Sequence, residues 1–262
     1  MPNREGFIGA SSPLSHEGLR ACCDLLGVGA AEVWTLVSVE THSCGFLPDR
    51  RPVILFERHI FHERTAGAFD ASHPGISSPV PGGYEGNSKE YDRLQEAMDL
   101  NREAALQSAS WGIGQVMGFN FKPAGFVSVE TMVRAMQDAE DSQLTAVAKT
   151  IRARQIHHAF AAHDWVRFAR GYNGGDFNKN HYDVRLAAAF AAFSIGGLPD
   201  IQVRQVQVLM RFLGFPVGAI DGILGKRTRS AIAQFRLTHS LPDSDSVDEG
   251  LIAALIEQIK QR

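Results

Sequence analysis

Apolar residues recur at helical spacing along most of the chain. Leu19, Cys22, Cys23 and Leu26 fall at i, i+3, i+4 and i+7. Ser15 before them can cap a helix start, and Gly27 and Gly29 after them can stop one. A second helix is expected from residue 30, with Val33, Leu36 and Val37 on its apolar stripe and Glu40 as the last member; residues 41–45 end it. Pro52-Val53-Ile54-Leu55-Phe56 is a short apolar run ending at Glu57, and periodicity reads it equally as a strand or as the first turn of a buried helix. Residues 70–88 hold Pro74, Pro79 and Pro81 among glycines and serines and read as a long surface loop, a kind that often carries function. From 90 to 154 the pattern is mostly helical. Met132, Met136 and Ala139, then Leu144, Val147 and Ile151, mark two amphipathic helices. Others are expected over 162–169 and 182–193. Gly112, Gly114 and Gly118, then Gly171, Gly174 and Gly175, interrupt this landscape. Residues 1–14 form a short lead without clear pattern.

Residues 194–199, with Gly196, Gly197 and Pro199, make the best linker in the chain. Helices are expected after it at 201–213, 226–238 and 247–259. Their stripes are Val203, Val206, Met210 and Leu213; Ala231, Ile232 and Phe235; and Leu251, Ala254 and Leu255. Three short stripes make a three-helix bundle. The expected division is therefore 1–195 and 196–262.

Composition narrows the class. The 262 residues carry 26 Lys and Arg against 29 Asp and Glu, a formal charge of −3, with 44% apolar residues. That excludes wholesale disorder and a globally basic nucleic-acid coat. Cys22, Cys23 and Cys44 are an odd set without a C-x-x-C pair, so no disulfide framework or thiolate zinc site is expected. Cys44 reads as a buried small side chain. No stretch approaches the roughly 18 apolar residues of a membrane span. Residues 1–15 lack the apolar core of a Sec signal. Synthesis in a cytoplasm without stable membrane insertion is expected, and no heptad or sticky stripe argues against a monomer.

In the C-terminal unit, Val206-Gln207-Val208-Leu209, Leu213-Gly214-Phe215, Gly218, Asp221-Gly222-Ile223-Leu224-Gly225, Thr228, Ala231-Ile232 and Gln234-Phe235 resemble the peptidoglycan-binding domain of many cell-wall hydrolases. The pattern is matched across nearly the whole unit; Arg236 and the loose turn at Asp243 depart from it. The resemblance implies a module that holds the protein on murein through a shallow groove.

In the N-terminal unit the chemistry begins at Glu40. A carboxylate on an apolar stripe loses water on folding, and a helix C-terminus adds negative potential; both raise its pKa. A proton held near neutrality suits a general acid for glycoside cleavage. The bland alternative is a Glu that swings to solvent at a frayed end. Ser110-Trp111-Gly112-Ile113-Gly114-Gln115-Val116-Met117-Gly118-Phe119-Asn120 and Tyr172-Asn173-Gly174 combine aromatic rings, amides and turns, a mixture that lines sugar clefts.

The order of these segments resembles the lysozyme-like superfamily. More closely, Val39-Glu40, Gly45-Phe46, Arg51-Pro52, Ile54-Leu55-Phe56-Glu57-Arg58-His59, Phe61, Gly83-Tyr84, Tyr91, Arg93-Leu94, Ser108, Ser110-Trp111-Gly112, Gln115, Met117-Gly118, Asn120 and Tyr172-Asn173-Gly174 resemble the N-acetylmuramidase domain of modular phage endolysins over residues 30–192. Thr41 stands where that family usually has Ser. The fold implied is mainly α, a lysozyme-like helical catalytic domain with room for a small β element, followed by the three-helix bundle. The activity implied is hydrolysis of the β-1,4 bond between N-acetylmuramic acid and N-acetylglucosamine, with Glu40 as general acid. Glu57 is the candidate second catalytic carboxylate; it could orient water, stabilise an oxocarbenium-like centre, or only pair with Arg58. Ser110, Gln115, Asn120, Tyr172 and Asn173 would bind substrate, with Trp111 either stacking on sugar or packing beneath the cleft. Carboxyl separations of about 5 Å and about 6.5–9.5 Å would mark retention and inversion.

The implied setting is host lysis: a protein released through a holin pore onto the periplasmic murein of Gram-negative bacteria. No cofactor is expected. Nor is a metal, because His59-Ile60-Phe61-His62-Glu63 lacks zincin spacing and His157 and His158 should point apart on a helix. The competing readings are a lytic transglycosylase leaving 1,6-anhydro ends, a wall-bound amidase or peptidase, and a non-catalytic wall-binding or virion structural protein. Deleting residues 201–262 should weaken sacculus binding while leaving some turnover.

Overall fold

The computed structural model describes residues 6–40, 44–174 and 180–261. Among them are twelve α-helices and one small sheet. Helix α1 (His16–Leu26) starts where Ser15 Oγ accepts from the Gly18 N–H, and ends at Gly27 with φ of 69°. Helix α2 (Ala30–Glu40) is buried along nearly its whole length, as a helix apolar on most faces must be. It packs on α9 (Tyr182–Gly196), which extends beyond the expected 193 into the predicted linker.

The ambiguous run before Glu57 is a strand, β1 (Ile54–Phe56). It pairs antiparallel with β2 (Ala109–Trp111), and β2 with β3 (Val116–Met117), giving the order β1-β2-β3. Helix α3 (Arg58–Arg64) follows β1, and the long loop after it leads into a 3-10 turn (Asn87–Lys89) and α4 (Glu90–Gln107). Helix α4 bends at Asn101, whose side chain caps the Ala104 N–H at 3.0 Å. The mostly helical pattern over 90–154 is thus interrupted by a β-hairpin. Gly112 explains the first break: it has φ of +71°, and a Cβ there would lie 2.5 Å from Gln143 Cδ.

Helices α5 (Val129–Asp138) and α6 (Glu140–Ala153) follow the two predicted stripes. The single helix expected over 162–169 is instead α7 (His157–Ala161) and α8 (Trp165–Asn173). The break comes at His163, with φ of 57°, and Asp164, whose side chain caps the Arg167 N–H. The C-terminal bundle is α10 (Ile201–Phe212), α11 (Lys226–Thr238) and α12 (Glu249–Lys260).

Residues of the patternless lead enter the core. Phe7 and Leu14 are buried, and the Phe7 ring lies 5.2 Å from Tyr91 and 5.9 Å from Trp111. A stretch this short has no periodicity to reveal such anchors. The apolar interior has two parts. One spans the N-terminal unit and takes in Ile201; the other is the core of the bundle, but it includes Cys44 and Phe46. Phe46 meets Phe212 edge-on, with ring centroids 6.2 Å apart. Cys44 is buried, as expected, and burial pushes its thiol up. No single helix among the described residues is long and apolar enough to cross a membrane.

Candidate active site

Glu40 is the last residue of α2. Its Oε1 accepts from the hydroxyl of Tyr182, at the start of α9. Arg185, one turn further along α9, donates to the Val39 carbonyl at 2.7 Å. Burial raises the Glu40 carboxyl to about 7; the Tyr182 hydrogen bond and the Arg185 charge pull in the opposite direction and lose. At neutral pH much of the population is therefore protonated, the state a general acid needs. Thr41 lies outside the described residues.

Tyr172 joins this end of the site to the hairpin. Its ring stacks parallel to Tyr182 at 6.3 Å, and its hydroxyl donates to the Gly114 carbonyl at 3.0 Å. Gly114 belongs to the turn between β2 and β3. In that turn Gln115 takes φ of 47°, and its Nε2 donates to the carbonyls of Gly112 at 2.8 Å and Val53 at 3.3 Å. Its Oε1 accepts from Ser110 Oγ at 2.8 Å. Glu40, Tyr172, Gln115 and Ser110 are thus brought together, with Gln115 and Ser110 tying the turn into shape.

The same hairpin bears on the two readings of Trp111. Neighbours on a strand face opposite ways. Trp111 pairs with Ile54 and Val116 on the core side, while Ser110 pairs with Leu55 and Met117 on the other. Trp111 is 0% exposed, and its Nε1 donates to the Leu106 carbonyl at 3.2 Å. It packs beneath the sheet and cannot stack on a sugar.

Glu57 stands at the junction of β1 and α3. Its N–H donates to the Ser108 carbonyl at 2.9 Å. Its Oε2 accepts from the Tyr84 hydroxyl at 2.8 Å and lies 3.2 Å from His59 Nδ1. Burial first, then Glu57, pushes the Tyr84 hydroxyl up to about 12, so it remains a donor. The alternative pairing with Arg58 is not formed: Arg58 donates to the carbonyls of Val80 and Pro81 at 2.8 and 3.3 Å, holding the long loop beside the site. Asn120 lies half-buried in the 3-10 turn after β3, and Asn173 is exposed at the end of α8. Among the described residues, no side-chain hydrogen bond ties either to Glu40 or Glu57. Gly175 lies outside the described residues.

Several supporting residues escaped the sequence reading. Glu90 is fully buried and accepts from the N–H groups of Phe56, Glu85 and Gly86 and from Arg93 Nη1. Burial alone would raise it, but those donors outweigh burial and hold it below the ordinary carboxylate value. It clamps the strand end that precedes Glu57. Gln143 accepts from the Ile113 N–H at 2.7 Å and donates to the carbonyls of Met136 and Gly45 at 2.8 and 3.4 Å. A signal existed: Glu90 and Arg93 fall on the stripe of Leu94 and Ala97, and Glu140 and Gln143 on that of Leu144 and Val147. Tyr182 and Arg185 had no comparable signal.

Among the described residues, no group of three or more His, Cys, Asp or Glu is placed to hold a metal ion. His157 and His158 do not point apart as expected; their rings approach to 4.0 Å in the single short turn of α7.

Comparison with known proteins agrees with this architecture. The N-acetylmuramidase family profile matches residues 29–194, and that of the peptidoglycan binding domain matches residues 200–255. A crystal structure of the Burkholderia AP3 phage endolysin is similar to this chain, with a TM-score of 0.64 and 37% identity over 73% of each chain. No curated protein matches the chain. The chain belongs to the N-acetylmuramidase family: it is a lysozyme-type glycoside hydrolase of the endolysin kind, acting on the β-1,4 bond between N-acetylmuramic acid and N-acetylglucosamine in peptidoglycan and carrying a peptidoglycan-binding domain after its catalytic unit.

Proposed function

We propose that Glu40 is the general acid of the muramidase reaction. The observation that carries this is its place at the end of α2, its Oε1 held by Tyr182 and its proton retained to about pH 7 by burial. It donates that proton to the bridging oxygen as the glycosidic bond breaks. Glu57 serves as the second carboxylate. Tyr84 donates to one of its oxygens, and the carboxylate would polarise water or stabilise the oxocarbenium-like carbon. In this reading Ser110, Gln115, Asn120, Tyr172 and Asn173 bind substrate, their hydroxyls and amides offering hydrogen bonds to sugar hydroxyls or acetamides.

The test is Glu40→Gln, which keeps shape and removes the acid. It is expected to lose lysis of permeabilised cells and release of muropeptides; lysis at the parent rate would sink the assignment. Mass spectrometry of the parent's products should find hydrated reducing ends, as opposed to anhydro ends or freed peptides.

The setting we infer is a lysis enzyme made in a host cytoplasm, monomeric, released through a holin pore and acting on periplasmic murein of Gram-negative bacteria. Similarity to a phage endolysin supports it. We place the boundary between catalytic and binding domains at 195/196, in the last turn of α9. Lysis of intact cells with and without a co-expressed holin checks the release route.

A further inference from the structure

We propose that Arg204, on the first helix of the peptidoglycan-binding domain, is a positioning residue for the muramidase cleft, acting through Glu140 on the backbone at Gly45. The inference rests on the reading of Glu40 and Gln115 as the site.

Arg204 is 1% exposed and Glu140 0%. The guanidinium meets the carboxylate with two parallel bonds, Nη1 to Oε2 at 2.6 Å and Nη2 to Oε1 at 2.9 Å. Each oxygen also accepts one backbone N–H, from Leu14 and from Gly45, both at 2.7 Å. Burial would raise the Glu140 carboxyl, but Arg204 and these amides outweigh it and hold it ionised. A buried ion pair gives little net stability over well-packed apolar residues. What a planar fork on a four-coordinated carboxylate supplies is a fixed geometry.

That geometry is passed to the cleft. Gly45 follows Glu40 by five residues. Its carbonyl accepts from the Val53 N–H at 2.8 Å, and the Val53 carbonyl accepts from the Gly112 N–H at 2.8 Å and from Gln115 Nε2. Ser110 completes the chain on Gln115. Hydrogen bonds and the intervening residues therefore link α10 of the binding domain to Gln115 and Ser110 of the proposed site. The residues on either side of Gly45 belong to the bundle core: Cys44 accepts from Arg211 Nη1 at 3.5 Å, and Phe46 packs on Phe212. The binding domain thus holds residues 44–46, through Arg211 and Phe212 directly and through Arg204 by way of Glu140.

The experiment uses the full chain with Arg204→Lys, Arg204→Met and the double variant Glu140→Gln/Arg204→Met, beside Glu40→Gln. Turnover is measured on soluble murein glycan fragments, which need no anchoring, at a temperature where circular dichroism shows each variant folded. Sacculus pull-down and amide exchange over residues 44–53 are measured in parallel. Arg204→Met is expected to lower kcat by roughly 10- to 100-fold with KM changed less than about twofold, as a small misplacement of reacting groups does. It should speed exchange at Gly45 and Val53 and leave sacculus binding unchanged, and Arg204→Lys should recover part of the loss. If Arg204→Met does not fold, the double variant, which has no buried charge left unpaired, carries the same expectation. Parent kcat in a folded Met variant, or a loss confined to sacculus binding, overturns the proposal. Glu40→Gln at parent rate would instead overturn the reading of the site.

Discussion

The Tyr182 hydroxyl donates to Glu40 Oε1 across the interface of α2 and α9, so one phenol on a neighbouring helix governs the carboxyl that burial has pushed up to about 7. A donor to the ionised form lowers a pKa, so removing it raises that pKa further. In Tyr182→Phe the ring stack on Tyr172 persists and only the donor is lost. The alkaline limb of the kcat/KM profile, expected near pH 7 in the parent, should move upward by about one unit. An unmoved limb would show that Glu40 does not set it.

The same carboxyl makes stability depend on pH. Its folded value lies above the ordinary 4.5, so its contribution is fully present below about 4.5 and is lost as pH rises through about 7. Gln at this position is neutral throughout. Glu40→Gln should therefore be close to the parent in denaturant melts at pH 5 and more stable by roughly 1–3 kcal/mol at pH 8. Equal midpoints at both values would mean that the carboxyl ionises freely in the folded protein.

Trp111 tests the core against the cleft. Because it is fully buried beneath the hairpin, Trp111→Ala should cost about 3–5 kcal/mol of stability. Trp111→Phe, a smaller loss of volume, should fold and keep kcat and KM near the parent values. A large KM rise in a folded Phe variant would restore the stacking role.

Glu57 and Tyr84 should separate in effect. Glu57→Gln is expected to lower kcat by about 10²- to 10⁴-fold if the carboxylate takes part in proton movement. Tyr84→Phe removes one hydrogen bond to it, 2.8 Å long, and should cost about 10-fold. Similar small losses in both variants would reduce Glu57 to holding the loop.

Removal of residues 201–262 is expected to abolish activity on soluble glycan as well as sacculus binding. This revises the expectation that some turnover survives the deletion. Truncation exposes Cys44 and Phe46 and leaves Glu140 buried without Arg204, and breaking such a pair costs about 3–5 kcal/mol. A truncated chain that is folded and active at the parent rate would refute it.

Local order was legible because it rests on local physics. Helix stripes and caps, such as Ser15 and Gly27 around α1, follow from residues a turn apart. The family resemblance placed Glu40, Gln115 and Tyr172, which the fold brings into one network. The three-helix unit was also legible from its stripes and its Asp-Gly turn. Less legible was anything set by pairing between distant segments. The side of the sheet that Trp111 faces depended on the register Ile54 to Trp111, which no pattern in a three-residue strand fixes.

What the sequence by itself determined is the helical class, the two units and the chemistry in the narrow sense of which residue types stand in which order. Tertiary structure alone decided which of them meet. Tyr182 reaches Glu40 over 142 positions, and Arg204 reaches Glu140 over 64. Such contacts leave no periodic trace, because a buried polar side chain finds its partner only when two elements dock, and its cost when unpaired is what makes that docking specific.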